Sequence, residues 1–340
     1  MTKTKTLKIK NFFIFSIKRN LTGLLFSTAI LFIMILIILN PEVFSNSTIN
    51  GIRLFFFSVL PGLLPFMFLT KLLTEIGIIF KITKRFSPIS HKIFGTPGVS
   101  LYCFIMSILS GYPIGSKIIA DLYNKHLISE EDAKRMSLFC TTSGPVFVIG
   151  AVGVGMLSSF KLGLIIYLSH VLSSIIIGIA YNLIFKSKNQ THVDIIFCSK
   201  PKENLIASVL SETISSLFMV AGFITIFYLF TEVLSILKII DLIASFLTKI
   251  LPFLNLSTRE FSGILYGIAE VTHGARDLSS LGSSVVPIIC GLISFSGISI
   301  IMQSMTFLQQ TKIKTHTFIL SKCVLMILSY LICKLMLILF

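Results

Sequence analysis

Charge is scarce in this chain: Asp, Glu, Lys and Arg make up 13% of its 340 residues, against about 25% in ordinary soluble domains. With 54% apolar residues and a mean hydropathy of +0.93, that scarcity excludes water as the solvent for most of the surface. Acidic groups are the rarer sign, 14 against 29 Lys and Arg. The resulting charge of +15 does not indicate nucleic acid, because the basic residues fall in short segments flanking apolar runs, where they act as orientation signals. Paired cysteines are missing too. Cys103, Cys140, Cys198, Cys290, Cys323 and Cys333 form no C-x-x-C pair and have no nearby histidines, so neither a disulfide framework nor a metal site is expected. There is no phosphate-binding loop, and Ser110 and Ser143 lack a His/Asp partner in sequence, so the chain reads as a non-enzyme without a cofactor. Glu130-Glu131-Asp132 reads as the acidic first turn of a helix beginning at Ser129.

What is present is a series of apolar runs. The chain has room for about seven spans of about 20 residues. The first, Leu21 to Leu39, follows Lys3, Lys5, Lys8, Lys10, Lys18 and Arg19, and no small-residue cleavage pattern comes after it. It is expected to be a retained span with a cytoplasmic N-terminus, making 1–40 one unit. Asn40 to Asn50 carries no Lys or Arg and is expected to be an outside loop. Ile52 to Leu73 then returns to a basic segment with Lys71, Lys81, Lys84, Arg85 and Lys92. Val99 to Gly111 is too short to cross, breaks at Ser110-Gly111-Tyr112-Pro113-Ile114-Gly115, and leads into a second basic segment from Lys117 to Arg135. Two consecutive basic segments belong on one side, so 99–117 is expected to be a re-entrant hairpin. Irregular backbone at that depth is tolerated only where it is buried in protein or lines a cavity. A further break, Thr141 to Pro145, interrupts the next outward run; Lys161 to Ile184 closes this first repeat, 51–185.

After a linker at 186–204 with Lys186, Lys188, Lys200 and Lys202, the pattern recurs over 205–340. Leu73-Thr74-Glu75-Ile76 matches Phe230-Thr231-Glu232-Val233, and amphipathic stretches at Lys81 to Phe94 and Lys238 to Leu254 are expected to lie along the interface. Gly267 to Gly274 matches the first hairpin turn, giving a second hairpin at 262–283, and Ser296-Gly297-Ile298 matches Ser143-Gly144-Pro145. His316 to Phe340 is the closing span, with Lys312 and Lys314 inside before it. The expected fold is an all-α polytopic membrane protein with about seven transmembrane helices and two re-entrant hairpins in two inverted repeats. Such paired, interrupted segments point to a secondary-transporter binding site.

A broken helix exposes free N–H groups and a partial positive charge at the start of its second half, which suits a carboxylate or phosphate. The candidate substrate-binding residues are Gly111, Tyr112, Pro113, Gly115 and Lys117 from the first hairpin; Thr142, Ser143 and Gly144 from the following break; Glu270, His273, Gly274 and Arg276 from the second hairpin; and Ser296 and Gly297 from the last break. Lys117 or Arg276 would attract an anion, and Glu270 or His273 would exchange a coupling proton. Competing readings stay open: glycines that allow close helix packing, a solvated Lys117–Asp121 pair one turn apart, His170 as a hydrogen-bonded packing residue, Glu75 and Glu232 as anchors or gate residues, and hydroxyls at the breaks as helix caps.

Leu109-Ser110-Gly111-Tyr112-Pro113-Ile114-Gly115-Ser116-Lys117 with Ala120-Asp121-Leu122, the block Thr141 to Met156, and Phe261-Ser262-Gly263 through Glu270, Thr272 and Gly274 resemble the YlbJ-type sporulation integral membrane proteins of stage V. More loosely, the chain resembles the nucleoside-recognition gate superfamily. The resemblance implies a fold related to concentrative nucleoside transporters and a role in carrying dipicolinic acid across the outer forespore membrane. It departs from the family pattern at Thr141-Thr142, where an amide-bearing pair is common, and at His273. The implied partners are a small anionic solute and the lipid bilayer, without nucleic acid. The coupling ion, H+ or Na+, stays open, as do a nucleoside or other small metabolite as cargo, a non-transporting role in spore-envelope assembly, a homo-oligomer, and sporulation membrane partners.

Overall fold

The computed structural model describes residues 23–76, 78–185 and 204–340, and every regular element among them is a helix. The N-terminal basic cluster, the linker lysines Lys186, Lys188, Lys200 and Lys202, and Cys198 lie outside the described residues. Helix α1 (Gly23–Leu39) bends through 102° into α2 (Pro41–Leu54). The stretch Asn40 to Asn50, expected as a loop, is therefore mostly helix. Pro41 at the first helical position loses no hydrogen bond there, and Glu42 in the first turn suits the helix dipole, so the new helix starts at once.

A π-helical turn, Phe55–Val59, carries α2 into α3 (Leu60–Ile76). Then come α4 (Ile78–Phe94), the pair α5 (Val99–Ser110) and α6 (Ile114–Asn124), α7 (Glu130–Phe139), a π-helix (Val146–Met156) and α8 (Phe160–Ile184). The second half follows the same order: long α9 (Leu205–Ile236), amphipathic α10 (Ile239–Ile250), the pair α11 (Thr258–Ala269) and α12 (Val271–Ser279), the broken run α13 (Val286–Phe295) and α14 (Gly297–Leu308), and closing α15 (Thr315–Leu339). The neighbours recur as well: α3 meets α4 and α5 as α9 meets α10 and α11, and α7 packs on α8 as α13 packs on α15.

Each break has a local cause. Gly111 ends α5 at φ 86, ψ −172, a region open essentially only to glycine, and Pro113 turns its neighbour Tyr112 away from helix. Glu270 is extended at φ −143, ψ 114. Ser296 and Gly297 both have positive φ, which stops α13. α7 begins at Ser129 with a full capping box to Asp132, as expected from the sequence.

Four described helices are long and apolar enough to cross a membrane, or up to six if each bent pair is one span, against about seven expected. The expected spans that fall short are the first three: Gly23–Leu39 ends at the 102° bend, a π-helical turn leaves 17 residues to Leu60–Ile76, and the third run is broken before the 11 residues of Val146–Met156. Phe94 stacks on Phe139 at 4.4 Å, with Phe104 edge-on at 5.7 Å, tying α4, α5 and α7. Deepest is α13, with nine of its ten residues buried, packed among α8, α12 and α15.

The basic segments collect at one end. Lys71 at the end of α3 pairs with Asp121 of α6 at 2.8 Å and Glu212 of α9 at 3.1 Å, while Lys125 reaches Glu75 at 2.8 Å. Arg135 donates to the Phe185 carbonyl, Asn124 to Gln310, and Lys312 lies 4.0 Å from Glu130. At the other end Lys161 meets the last residue, Phe340, at 2.6 Å. The segments predicted to share a side on charge alone are thus neighbours.

Candidate functional site

Midway along α9, where Val220 and Ile224 face inward, lies a cavity with about 90 Å³ of room for water centres, enough for more than one water. Both hairpin turns, the first break and the start of α14 just after the second break border it: Ser110, Gly111 and Tyr112; Ser143, Gly144, Val146 and Phe147; Glu270, Val271 and Thr272; Ser299, Ile300 and Gln303. The hairpins contact α9 on either side of it. Lys117 of α6 meets Ser216 toward the start of α9, whereas His273 of α12 meets Thr231 toward its end, Nδ1 to Oγ1 3.3 Å. α12 folds back along α11, so that a methyl on Gly263 would touch Leu278 and one on Gly274 would fall 2.3 Å from Gly267 Cα.

The first hairpin turn and the first break are locked together. A Cβ on Gly111 would lie 2.6 Å from the Gly144 nitrogen, and one on Gly115 would lie 1.7 Å from the Cys140 carbonyl oxygen. Ser107 of α5 accepts from the Thr142 N–H at 3.0 Å and shares a hydroxyl contact with Thr142 at 2.9 Å. The Ser143 N–H donates to His170 Nε2 at 3.0 Å, which leaves Nδ1 to donate to Ser294 at 2.7 Å. His170 is thus the hydrogen-bonded packing residue that the sequence suggested, and it links the breaks of the two halves.

In the second hairpin the Glu270 carboxylate, 2% exposed, caps α12 by accepting from the N–H groups of Thr272 at 3.1 Å and His273 at 2.8 Å. Bonds of this charged kind contribute about 1.5–3 kcal/mol each. Among the described residues Glu270 is the one carboxylate in the cavity wall, and no lysine or arginine lines it.

Of the residues selected from the sequence, Gly111, Tyr112, Ser143, Gly144 and Glu270 line the cavity. The others stand behind or away from it. Pro113 precedes the first turn of α6; Gly115 and Gly274 are points of close backbone approach; Thr142 holds α5. Ser296 is buried, facing the Tyr112 hydroxyl, and Gly297 seats against the Gly267 carbonyl and the Val271 nitrogen. His273 stacks on Tyr266 at 4.4 Å, and Arg276 is exposed beside Tyr228. Lys117 borders a second, smaller cavity with Lys71 and Asp121, inside the ion-pair cluster at the end of α3.

Lys322 escaped the sequence reading. It is 1% exposed on α15, and its ammonium donates to the Thr141 carbonyl and hydroxyl, both at 2.7 Å, and to the Tyr112 hydroxyl at 3.0 Å. A charged residue inside a long apolar run was the available signal. Gln303, Ser299 and Thr272 carry no such mark.

The apolar helices define an integral membrane protein, and within it residues 56–160 match the family described as Gate, nucleoside recognition. Over 321 residues the chain is 26% identical to the sporulation integral membrane protein YlbJ of Bacillus subtilis (strain 168), covering 88% of this chain and 79% of that one. The resemblance to YlbJ-type sporulation membrane proteins is therefore borne out. No solved structure matches the chain significantly.

Proposed function

We propose that the protein is a secondary carrier built of two inverted repeats, with dipicolinic acid as its foremost cargo, held where the four breaks meet. One observation carries this reading: both hairpin turns, the first break and the start of α14 after the second break border a single cavity midway along α9, and the hairpins contact that helix on either side of it, at Ser216 and Thr231. In the same reading the hairpins are re-entrant, about seven segments cross the bilayer, and the end that gathers Lys71, Lys117, Arg135 and Lys312 faces the cytoplasm, with the N-terminus. Likeness to a sporulation protein supports the outer forespore membrane as its place. For an anionic cargo, the π-helix and α14 reach the cavity by their first turns without side-chain caps, leaving N–H groups for carboxylates. A nucleoside is the second reading, favoured by the wall of hydroxyls, the Gln303 amide and the Glu270 carboxylate without a cation.

Uptake into proteoliposomes holding the purified protein decides between them. Labelled dipicolinate should accumulate, and labelled nucleoside should not. Nucleoside uptake alone would replace the first reading by the second. Uptake of neither solute under proton or sodium gradients would remove the carrier and favour a role in envelope assembly.

A further inference from the structure

The buried ammonium of Lys322 has an environment that the proposed transport does not explain. Among the described residues no carboxylate lies within ion-pair distance of it. A buried charge is costly unless it is paired or fully hydrogen-bonded. Here each of the three ammonium hydrogens has its own neutral oxygen: the Thr141 carbonyl, the Thr141 hydroxyl and the Tyr112 phenol. Two ring faces complete the shell, Tyr112 at 4.8 Å and Phe318 at 5.2 Å. Carbonyl and hydroxyl oxygens are what an alkali cation takes in place of its hydration shell. An ammonium has the same charge and nearly the size of a potassium ion.

The ligands come from two separate elements. Thr141 belongs to the unwound segment before the π-helix, and Tyr112 to the turn of the first hairpin, so one positive charge ties the hairpin to the break. Lys322 is not in the cavity wall, which argues against direct contact with cargo, but Tyr112 is, so an ion in the cavity would have a route to the same oxygens. We propose that Thr141 and Tyr112 form a monovalent-cation site which the chain fills with its own lysine. This junction then needs no inorganic cation, and truncating Lys322 passes the site to sodium or potassium.

The test reads stability, not uptake, so it stands or falls apart from the carrier reading. Wild type, Lys322→Ala, Lys322→Ser and Lys322→Met are purified in detergent and melted in sodium, potassium or N-methylglucamine chloride at equal ionic strength. A bound cation raises the melting temperature with its concentration, by mass action. Lys322→Ala and Lys322→Ser should melt several degrees higher in one alkali salt than in N-methylglucamine, with saturation. Wild type should be indifferent, and so should Lys322→Met, whose side chain fills the space without charge. Adding Thr141→Val to Lys322→Ala should weaken the response. Folded Ala and Ser variants with equal melting in all three salts would overturn the site. An alkali response in wild type, or failure of both variants to fold in every salt, would do so too, the latter making the ammonium a structural hydrogen-bond donor that no cation replaces.

Discussion

Gly115→Ala and Gly111→Ala should each lower the melting temperature by several degrees, although they add one methyl group apiece. At Gly115 the new carbon would lie 1.7 Å from the Cys140 carbonyl oxygen and 2.9 Å from its carbon, both backbone atoms at the end of α7. Neither can step aside without moving α6 off the break. At Gly111 the methyl would fall 2.6 Å from the Gly144 nitrogen, on a residue at φ +86 that side chains rarely adopt. Overpacking costs about 1–3 kcal/mol where some relaxation is available, and the backbone strain adds about 1–3 kcal/mol. Set against about 5–15 kcal/mol of total stability, either change should lower the melting temperature by at least a few degrees, Gly111→Ala with its added backbone strain by more. Thermal melting and size-exclusion profiles in detergent measure this. Gly150→Ala and Gly222→Ala are the controls, since no heavy atom lies within 4 Å of a methyl at either position. If Gly115→Ala melts with wild type, α6 does not rest on the Cys140 carbonyl and the first hairpin is misplaced.

Those two glycines also mark how far the sequence could be read. The breaks were legible because each disrupts helix by a local rule: a glycine-only conformation at Gly111, a proline two residues later, a carboxylate at Glu270 cutting an apolar run. Charge gave the grouping of ends, since the Lys71 segment and the 117–135 segment do meet through Asp121 and Glu75. What the sequence withheld is set by packing. Lys322 and Lys334 both sit in α15 and look alike in sequence, yet Lys322 is buried and Lys334 exposed, because α13 and α8 cover one face of the helix. Arg276 and Lys117 looked suited to an anion, but one faces outward and the other is drawn into the cluster at the base of the first hairpin. The expected loop after Leu39 failed for a different reason: absence of Lys and Arg says which side a segment is on, not whether it is helical.

Glu270→Ala should both destabilise the second hairpin and stop uptake, and the conservative variants separate the two effects. The carboxylate accepts from the N–H groups of Thr272 and His273, so its loss removes the partner of two buried or half-buried donors and costs about 3 kcal/mol. Glu270→Asp keeps a charged acceptor at a helix start and should retain most of the stability. Glu270→Gln keeps one carbonyl oxygen but turns an NH2 toward the second N–H, donor against donor, so it should fall between Asp and Ala. Melting temperature should therefore decline in the order wild type, Asp, Gln, Ala. If Glu270 only shapes the hairpin, uptake should decline in step with melting. If the carboxylate also meets the cargo or its proton, the Gln variant should lose uptake by tenfold or more while most of its protein remains folded. Unchanged uptake with lowered melting in Glu270→Gln would confine the residue to capping α12, and the cavity's one charge would then have no part in what is carried.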